Sequence, residues 1–297
     1  MKPELLHWGA LHLRSFGVMM AIAFLVGTAL GLHEARRRRL DEDALVNVIL
    51  ITLIASILGA RGLYVLEHLG EFRREWGSVF AIWQGGLTLY GGIVVGSCVG
   101  ILAARRFGLP AWVVADALTP SLAIGTMFGR VGCFLNGCCY GRPTSMPWGV
   151  RFPLDSFATH EFGDTPLHPS QLYNAAAGLA LFVFLWSRRR AFHVPGVLFW
   201  TFIALFAAVR IPIDLTRSYE TEAVLVRLGM LTLTESQLTS LAMIGVAVLM
   251  ILRLRRAASP VQVTGLTTGV TSVSTGEFTS CAVRSGGAWC WGYGGYL

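Results

Sequence analysis

The chain has 297 residues, of which 54% are hydrophobic and only 14% charged, and it carries a formal net charge of +7. Soluble domains hold about a quarter charged residues, so an ordinary water-soluble fold is excluded and a lipid bilayer is the expected solvent. The excess of arginine does not point to nucleic acid, because it collects at the ends of apolar runs instead of along one basic face.

Apolar stretches of roughly the 20 residues that cross a hydrocarbon core recur in chain order at 16–34, 44–66, 87–103, 111–128, 171–186, 195–213 and 236–252. They predict an all-α polytopic membrane protein with seven transmembrane helices. Arg36 to Arg39, Arg105 and Arg106, Arg188 to Arg190, and Arg253, Arg255 and Arg256 follow the first, third, fifth and seventh spans. Basic residues beside span ends are retained in the cytoplasm, which puts the N-terminus outside and the C-terminus inside. Arg73 and Arg74, flanked by Glu71 and Glu75, form the one loop against this trend. No cleavable leader pattern opens the chain, so the first span is expected to be kept.

Four stretches then fall at or near the outer surface: "GARGLYVLE" (59–67), "WQGGLTLYGG" (83–92), "GRVGCFLNGCCYGRPTSMPWG" (129–149) and "VRIPIDLTR" (209–217). Arg61, Arg130 and Arg210 sit inside or at the end of apolar runs, where a charge needs a partner or solvent. The planar fork of a guanidinium suits phosphate, and a phospholipid headgroup supplies the nearest one. Arg130 and Arg210, each in a Gly- or Pro-containing break, are therefore candidate phosphate ligands; for a single arginine, snorkelling or pairing with an acid is the plainer alternative. Gly92, Gly96 and Gly100 repeat every four residues and predict close approach of a second helix. Gly129, Gly132, Gly137 and Gly141 predict a tight turn whose N–H groups face an anion, with Arg130 and Asn136 beside it. "LHPSQLYNAA" (167–176) predicts a helix starting near Pro169, with Ser170 and Gln171 at the mouth of the span; His168 is expected to cap or hydrogen-bond there more than to act as a base.

The C-x4-C-C spacing of Cys133, Cys138 and Cys139 is not that of a zinc knuckle, and no histidine lies at helical spacing from them. No metal and no cofactor are expected, which leaves a disulfide in an oxidising compartment or plain buried thiols. Cys98 reads as a core residue. Near residue 258 the composition shifts to Thr, Ser, Val and Gly, dividing a membrane domain (1–257) from a tail (258–297) in which short β-strands are expected. Forty such residues cannot bury a core alone.

The ordered set Phe16-Gly17, "GARGLYVL", "WQGGLTLYGG", "GRVGCFLNG" with "YGRPT", "HPSQLY", and Arg210, Asp214 and Arg217 resembles the prolipoprotein diacylglyceryl transferase family over roughly residues 10–255. The tail, through "VTSVSTGEFTSCAV" and "GGAWCWGYG", resembles about one repeat of the regulator of chromosome condensation propeller family, with Cys281 and Cys290 as packing residues. The first resemblance implies an enzyme of the bacterial cytoplasmic (inner) membrane that moves a diacylglyceryl group from phosphatidylglycerol to the lipobox cysteine of a preprolipoprotein and releases glycerol phosphate. Its partners are phosphatidylglycerol and preprolipoprotein signal peptides. It implies that Arg130 and Arg210 act on the phosphate, with Tyr90 at a catalytic position. Arg61, Asn136, Gly141, His168, Gln171, Asp214 and Arg217 would bind substrate, Asp214 and Arg217 being spaced to pair.

The chain departs from the family pattern at telling places. Tyr90 stands where many members have a catalytic histidine, Cys133 where asparagine is usual, Cys138 where glutamate or a similar polar residue is usual, Phe206 where tyrosine is usual, and Asp214 where glutamate is usual. A phenol, with an ordinary pKa of about 10, is a weak base at neutral pH. Two alternatives therefore stand beside the transferase: a catalytically silent lipid-binding or scaffold protein of the same fold, and a same-fold transferase with another acceptor. No span carries an acidic pair at mid-membrane depth, which argues against a transporter or receptor.

Overall fold

In the computed structural model the described residues are 4–8, 11–72, 76–81, 85–153, 156–217, 224–228, 231–258, 270–275, 279–284 and 287–292. Hairpin β1 (Glu4–Trp8) and β2 (Leu11–Arg14) leads into α1 (Ser15–Arg37), α2 (Glu42–Glu67), the short α3 (Leu69–Phe72), α4 (Leu89–Arg106) and α5 (Ala111–Asn136). Then follow α6 (Phe157–Phe162), α7 (Ser170–Arg188), α8 (Val197–Asp214), hairpin β3 (Val224–Leu228) and β4 (Leu231–Thr234), and α9 (Glu235–Ala258). The tail holds β5 (Val270–Thr275), β6 (Thr279–Arg284) and β7 (Gly287–Gly292), antiparallel in that order.

Six described helices, α1, α2, α4, α5, α8 and α9, are long and apolar enough to cross a membrane. The fifth expected span is also helical, as the 19-residue α7, but it stands outside the six because its first turns are polar and bury Ser170, Gln171 and Asn174. Leu25, Leu58, Val94 and Leu102 are exposed on the long helices. So much open apolar surface is unsuited to water and fits a face turned to lipid.

The described chain forms two compact units, residues 28–118 and residues 1–27 with 119–297. In the first, Ala35, Leu45, Val48, Ala104 and Val114 make the core. Asp41 caps α2 by accepting from the N–H groups of Asp43 and Ala44 at 3.0 and 3.1 Å. The glycines expected to allow close approach do so between α2 and α4. A Cβ on Gly91 would lie 2.3 Å from the Gly59 carbonyl oxygen, and one on Gly92 would lie 3.1 Å from that of Ser56. Cys98, expected in the core, is exposed, because it falls on the side of α4 away from the glycine stripe. Not every arginine of the first basic cluster is solvated. Arg38 is buried 3.7 Å from Glu34 and 3.9 Å from Asp116, both fully buried, an arrangement that supplies the counter-charges a buried cation requires.

In the second unit α5, α7 and α8 pack through Ala123, Leu181, Leu185, Leu198 and Phe202. Gly178 brings α7 against the backbone of α5, where a Cβ would lie 3.0 Å from the Met127 nitrogen. Phe152, Ala158 and Leu167, with Tyr140 packed against them, form a small second core in the connection from α5 to α7. The two hairpins before α1 and α9 were not anticipated. They share one register, pairing Leu6 with Leu13 and Trp8 with Leu11 in the first, and Val226 with Leu233 and Leu228 with Leu231 in the second.

The α2–α4 contact yields a stability prediction. Gly91→Ala should lower the detergent-solubilised protein's stability by about 1–3 kcal/mol, because the added methyl meets backbone. Gly62→Ala, at a helical position with nothing within 4 Å, should not lower it. Equal melting temperatures for the two variants would contradict this packing.

Candidate functional site

Three sequence stretches meet at Gly141. Its N–H donates to the His168 carbonyl at 2.9 Å, Arg142 N–H donates to the Thr216 carbonyl at 2.9 Å, and His168 N–H returns to the Arg142 carbonyl at 3.0 Å. Gly141 also bridges Arg217 in antiparallel fashion. A Cβ there would lie 2.4 Å from both Ser170 Oγ and the Thr216 carbonyl oxygen. Gln171, fully buried, donates from Nε2 to the Cys138 carbonyl at 2.8 Å, so α7 holds the far side of the same loop. Its Oε1 is buried and has no hydrogen-bond partner among the described residues. His168 Nδ1 lies 3.1 Å from the Tyr173 hydroxyl, which accepts from Trp148 Nε1 at 2.7 Å; the ring is thus in a local hydrogen-bond chain.

This junction fixes which helix ends coincide. The last residue of α5, the first of α7 and the end of α8 lie together, with Arg130 six residues inside α5 and Arg210 four residues inside α8. At 1.5 Å per residue both arginines sit about 6–9 Å in from that common end. Arg130 is half-buried and takes no hydrogen bond among the described residues, while its charge acts on the Cys139 thiol. Arg210 Nε donates to Ser236 Oγ at 3.1 Å.

Ser236 is one of several neighbours of the candidate residues that the sequence does not reveal. Thr234 and Gln237 form a reciprocal cap at the start of α9: Gln237 N–H donates to Thr234 Oγ1 at 3.2 Å, and Thr234 N–H to Gln237 Oε1 at 3.3 Å. Thr-x-x-Gln is the capping-box pattern, so this signal was present in the sequence. The Thr234 hydroxyl donates to Asp214 Oδ2 at 2.7 Å, and Asp214 is buried. The first turn of α9 therefore orients both Arg210 and Asp214.

The sulfurs of Cys133, Cys138 and Cys139 all lie within 4.8 Å of one another. Cys139 has a left-handed backbone, φ 61°, uncommon for a residue with a side chain. The neighbouring Cys133 and Cys138 thiols, then the charges of Arg130 and Arg217, hold the Cys139 thiol far below its ordinary value, to about 2. Asn136 is exposed at the end of α5, close to this cluster in sequence.

Two expectations are corrected. The glycine turn begins only at Gly137 (φ 74°), because α5 runs on through Asn136. Gly132 is a packing position, where a Cβ would lie 3.1 Å from the Phe16 ring, and the N–H groups of Gly137, Cys138, Gly141 and Arg142 all donate to carbonyls instead of facing an anion. Arg61 is buried and donates to the carbonyls of Ser78, Val79, Gly85 and Gly86 at 2.6–2.9 Å, which makes it the holder of the loop before α4. Gly85 and Gly86, with φ of 93° and 73°, turn both their carbonyls onto it. Tyr90 is exposed in the first turn of α4.

The prolipoprotein diacylglyceryl transferase family model matches residues 3–253. The chain belongs to this family. It is 35% identical over 221 residues to a phosphatidylglycerol–prolipoprotein diacylglyceryl transferase of Geobacter sulfurreducens, covering 72% of this chain and 82% of that protein. It is 32% identical to one of Nitratidesulfovibrio vulgaris over 251 residues, 82% of this chain and 91% of the relative, and 32% identical to one of Trichormus variabilis over 222 residues, 71% and 77%. The diacylglyceryl transferase match ends before the tail, and the propeller-repeat resemblance gains no support from these matches.

The depressed Cys139 thiol gives a pH prediction. A lowered pKa means that thiolate persists as pH falls, so alkylation of Cys139 in the reduced chain should change little between pH 8.5 and 6. An ordinary thiol would slow by roughly a hundredfold over that range. A hundredfold fall, followed by mass spectrometry of the labelled peptide, would contradict the arrangement.

Proposed function

We propose that this chain transfers the diacylglyceryl group of phosphatidylglycerol to the lipobox cysteine of prolipoproteins at the outer face of the bacterial cytoplasmic membrane, crossing it seven times with the N-terminus outside. The observation that carries this reading is Arg130, a half-buried guanidinium near the end of a spanning helix that takes no hydrogen bond among the described residues, at the same end of its unit as Arg210. Both family membership and the transferase activity of the relatives support it.

In the reaction the acceptor thiol loses its proton, a sulfur–carbon bond forms at the glyceryl carbon, and the carbon–oxygen bond to phosphate breaks. Glycerol phosphate departs with the electron pair. Arg130 and Arg210 would hold that phosphate and offset its growing charge. Gln171 Oε1, which has no donor among the described residues, would accept a headgroup hydroxyl. Asp214, Arg217, Gly141, His168 and Asn136 would shape the pocket, Arg61 would position the loop before α4, and Tyr90 would pass the proton to water.

Purified protein in phosphatidylglycerol micelles with a lipobox peptide should form a diacylglyceryl thioether. Arg130→Ala and Arg210→Ala should each lower kcat/KM by about a hundredfold or more. Unchanged turnover in either variant would contradict the assignment. Tyr90 and Phe206, in place of the usual polar residues, favour a second reading, a lipid-binding scaffold. Activity that appears only in Tyr90→His would establish that reading.

A further inference from the structure

We propose that Cys133, Cys138 and Cys139 form a three-thiolate site for a thiophilic d10 ion such as Zn2+, with its fourth position open to an incoming thiol. The transferase chemistry does not otherwise use these cysteines, and the part of the proposal concerning the incoming thiol rests on that reading. Zinc binds thiolate sulfur at about 2.3 Å in tetrahedral sites, which sets ligand sulfurs about 3.8 Å apart. The three sulfurs already lie within 4.8 Å of one another, so rotations of less than an ångström at each close the set.

The backbone builds this convergence. Cys133 lies on the last turn of α5, Gly137 reverses the chain at φ 74°, and the left-handed Cys139 folds the second of two adjacent cysteines back toward the first. Gln171 Nε2 fixes the Cys138 carbonyl from α7. Adjacent cysteines make a strained disulfide with each other, and a bond from Cys133 to either one strands the third; a metal uses all three.

Three protein ligands are the pattern of zinc sites that keep a position for substrate. A Zn2+ ion with three thiolates has a net charge of −1, and a fourth thiolate makes it −2. Arg130 and Arg217 both act on Cys139 and supply the offsetting charge. At such a site the acceptor's S–H would release its proton to solvent as sulfur replaces water on the ion.

The test uses the full chain carrying Ser at Cys98, Cys281 and Cys290, purified reduced and anaerobically, then equilibrated with Cd2+ as a spectroscopic substitute for zinc. One equivalent should bind with a thiolate-to-cadmium charge-transfer band, and Cys139→Ser should lose about a third of its intensity, one ligand in three. The 113Cd resonance of the same protein without further substitution should report three sulfurs, so a misfolded variant cannot hide the answer. A lipobox peptide with cysteine should add a fourth sulfur, and its serine counterpart should not. No stoichiometric metal, or a disulfide between Cys133 and a neighbour in the reduced preparation, would overturn the site. A spectrum unmoved by the cysteine peptide would overturn the open position. Neither readout depends on turnover, so loss of transfer alone tests the proposed function and not the metal site.

Discussion

The contact that the rest of the second unit depends on is the one at Gly141, where the connection after α5, the start of α7 and the end of α8 come within backbone distance. Each main-chain hydrogen bond there contributes only about 0.5–1.5 kcal/mol, but together they fix which helix ends share a level. No side chain fits between Ser170 Oγ and the Thr216 carbonyl, so even alanine would force the strands of this junction apart. Spanning helices are interchangeable in composition and slide easily past one another in lipid. A polar, hydrogen-bonded knot at one end is what gives them a defined depth, and with it the depth of Arg130 and Arg210.

The arginines of this chain fall into two kinds. Arg38 and Arg61 are buried and answered from within the protein, one by Glu34 and Asp116, the other by four loop carbonyls. Those are structural solutions to the cost of a charge in an apolar medium. Arg210 is held through a single nitrogen by Ser236, and Arg130 takes no hydrogen bond among the described residues. A guanidinium kept in such a place with donors to spare is suited to an anion from outside, and the membrane supplies one in its headgroups.

Much of the fold was legible because bilayer thickness imposes a length on apolar runs, and each of the seven runs coincides with a helix. The extent of α5 was not, since glycines that mark turns in water mark packing faces in lipid, as Gly132 does against Phe16. The hairpins were hidden for a related reason: the alternation in "LLHW" and "VLVRL" is faint against so apolar a background. At the site, the motif residues could be named from the sequence, whereas Thr216, Thr234 and Ser236 could not be placed. Their part depends on tertiary pairing with Ser170, Asp214 and Arg210. Arg61 was misjudged because backbone carbonyls, its real partners, leave no trace in a sequence. The meeting of three cysteines depends likewise on one left-handed residue.

The central claim is that two guanidinium groups share one lipid phosphate. The most direct measurement is 31P–15N dipolar recoupling in bilayers of phosphatidylglycerol containing the arginine-15N-labelled protein. The account predicts dephasing at separations of about 4 Å, the reach of a guanidinium–phosphate hydrogen bond, reduced by Arg130→Lys and by Arg210→Lys alike. Dephasing that survives in both variants, or none in the native chain, would contradict it.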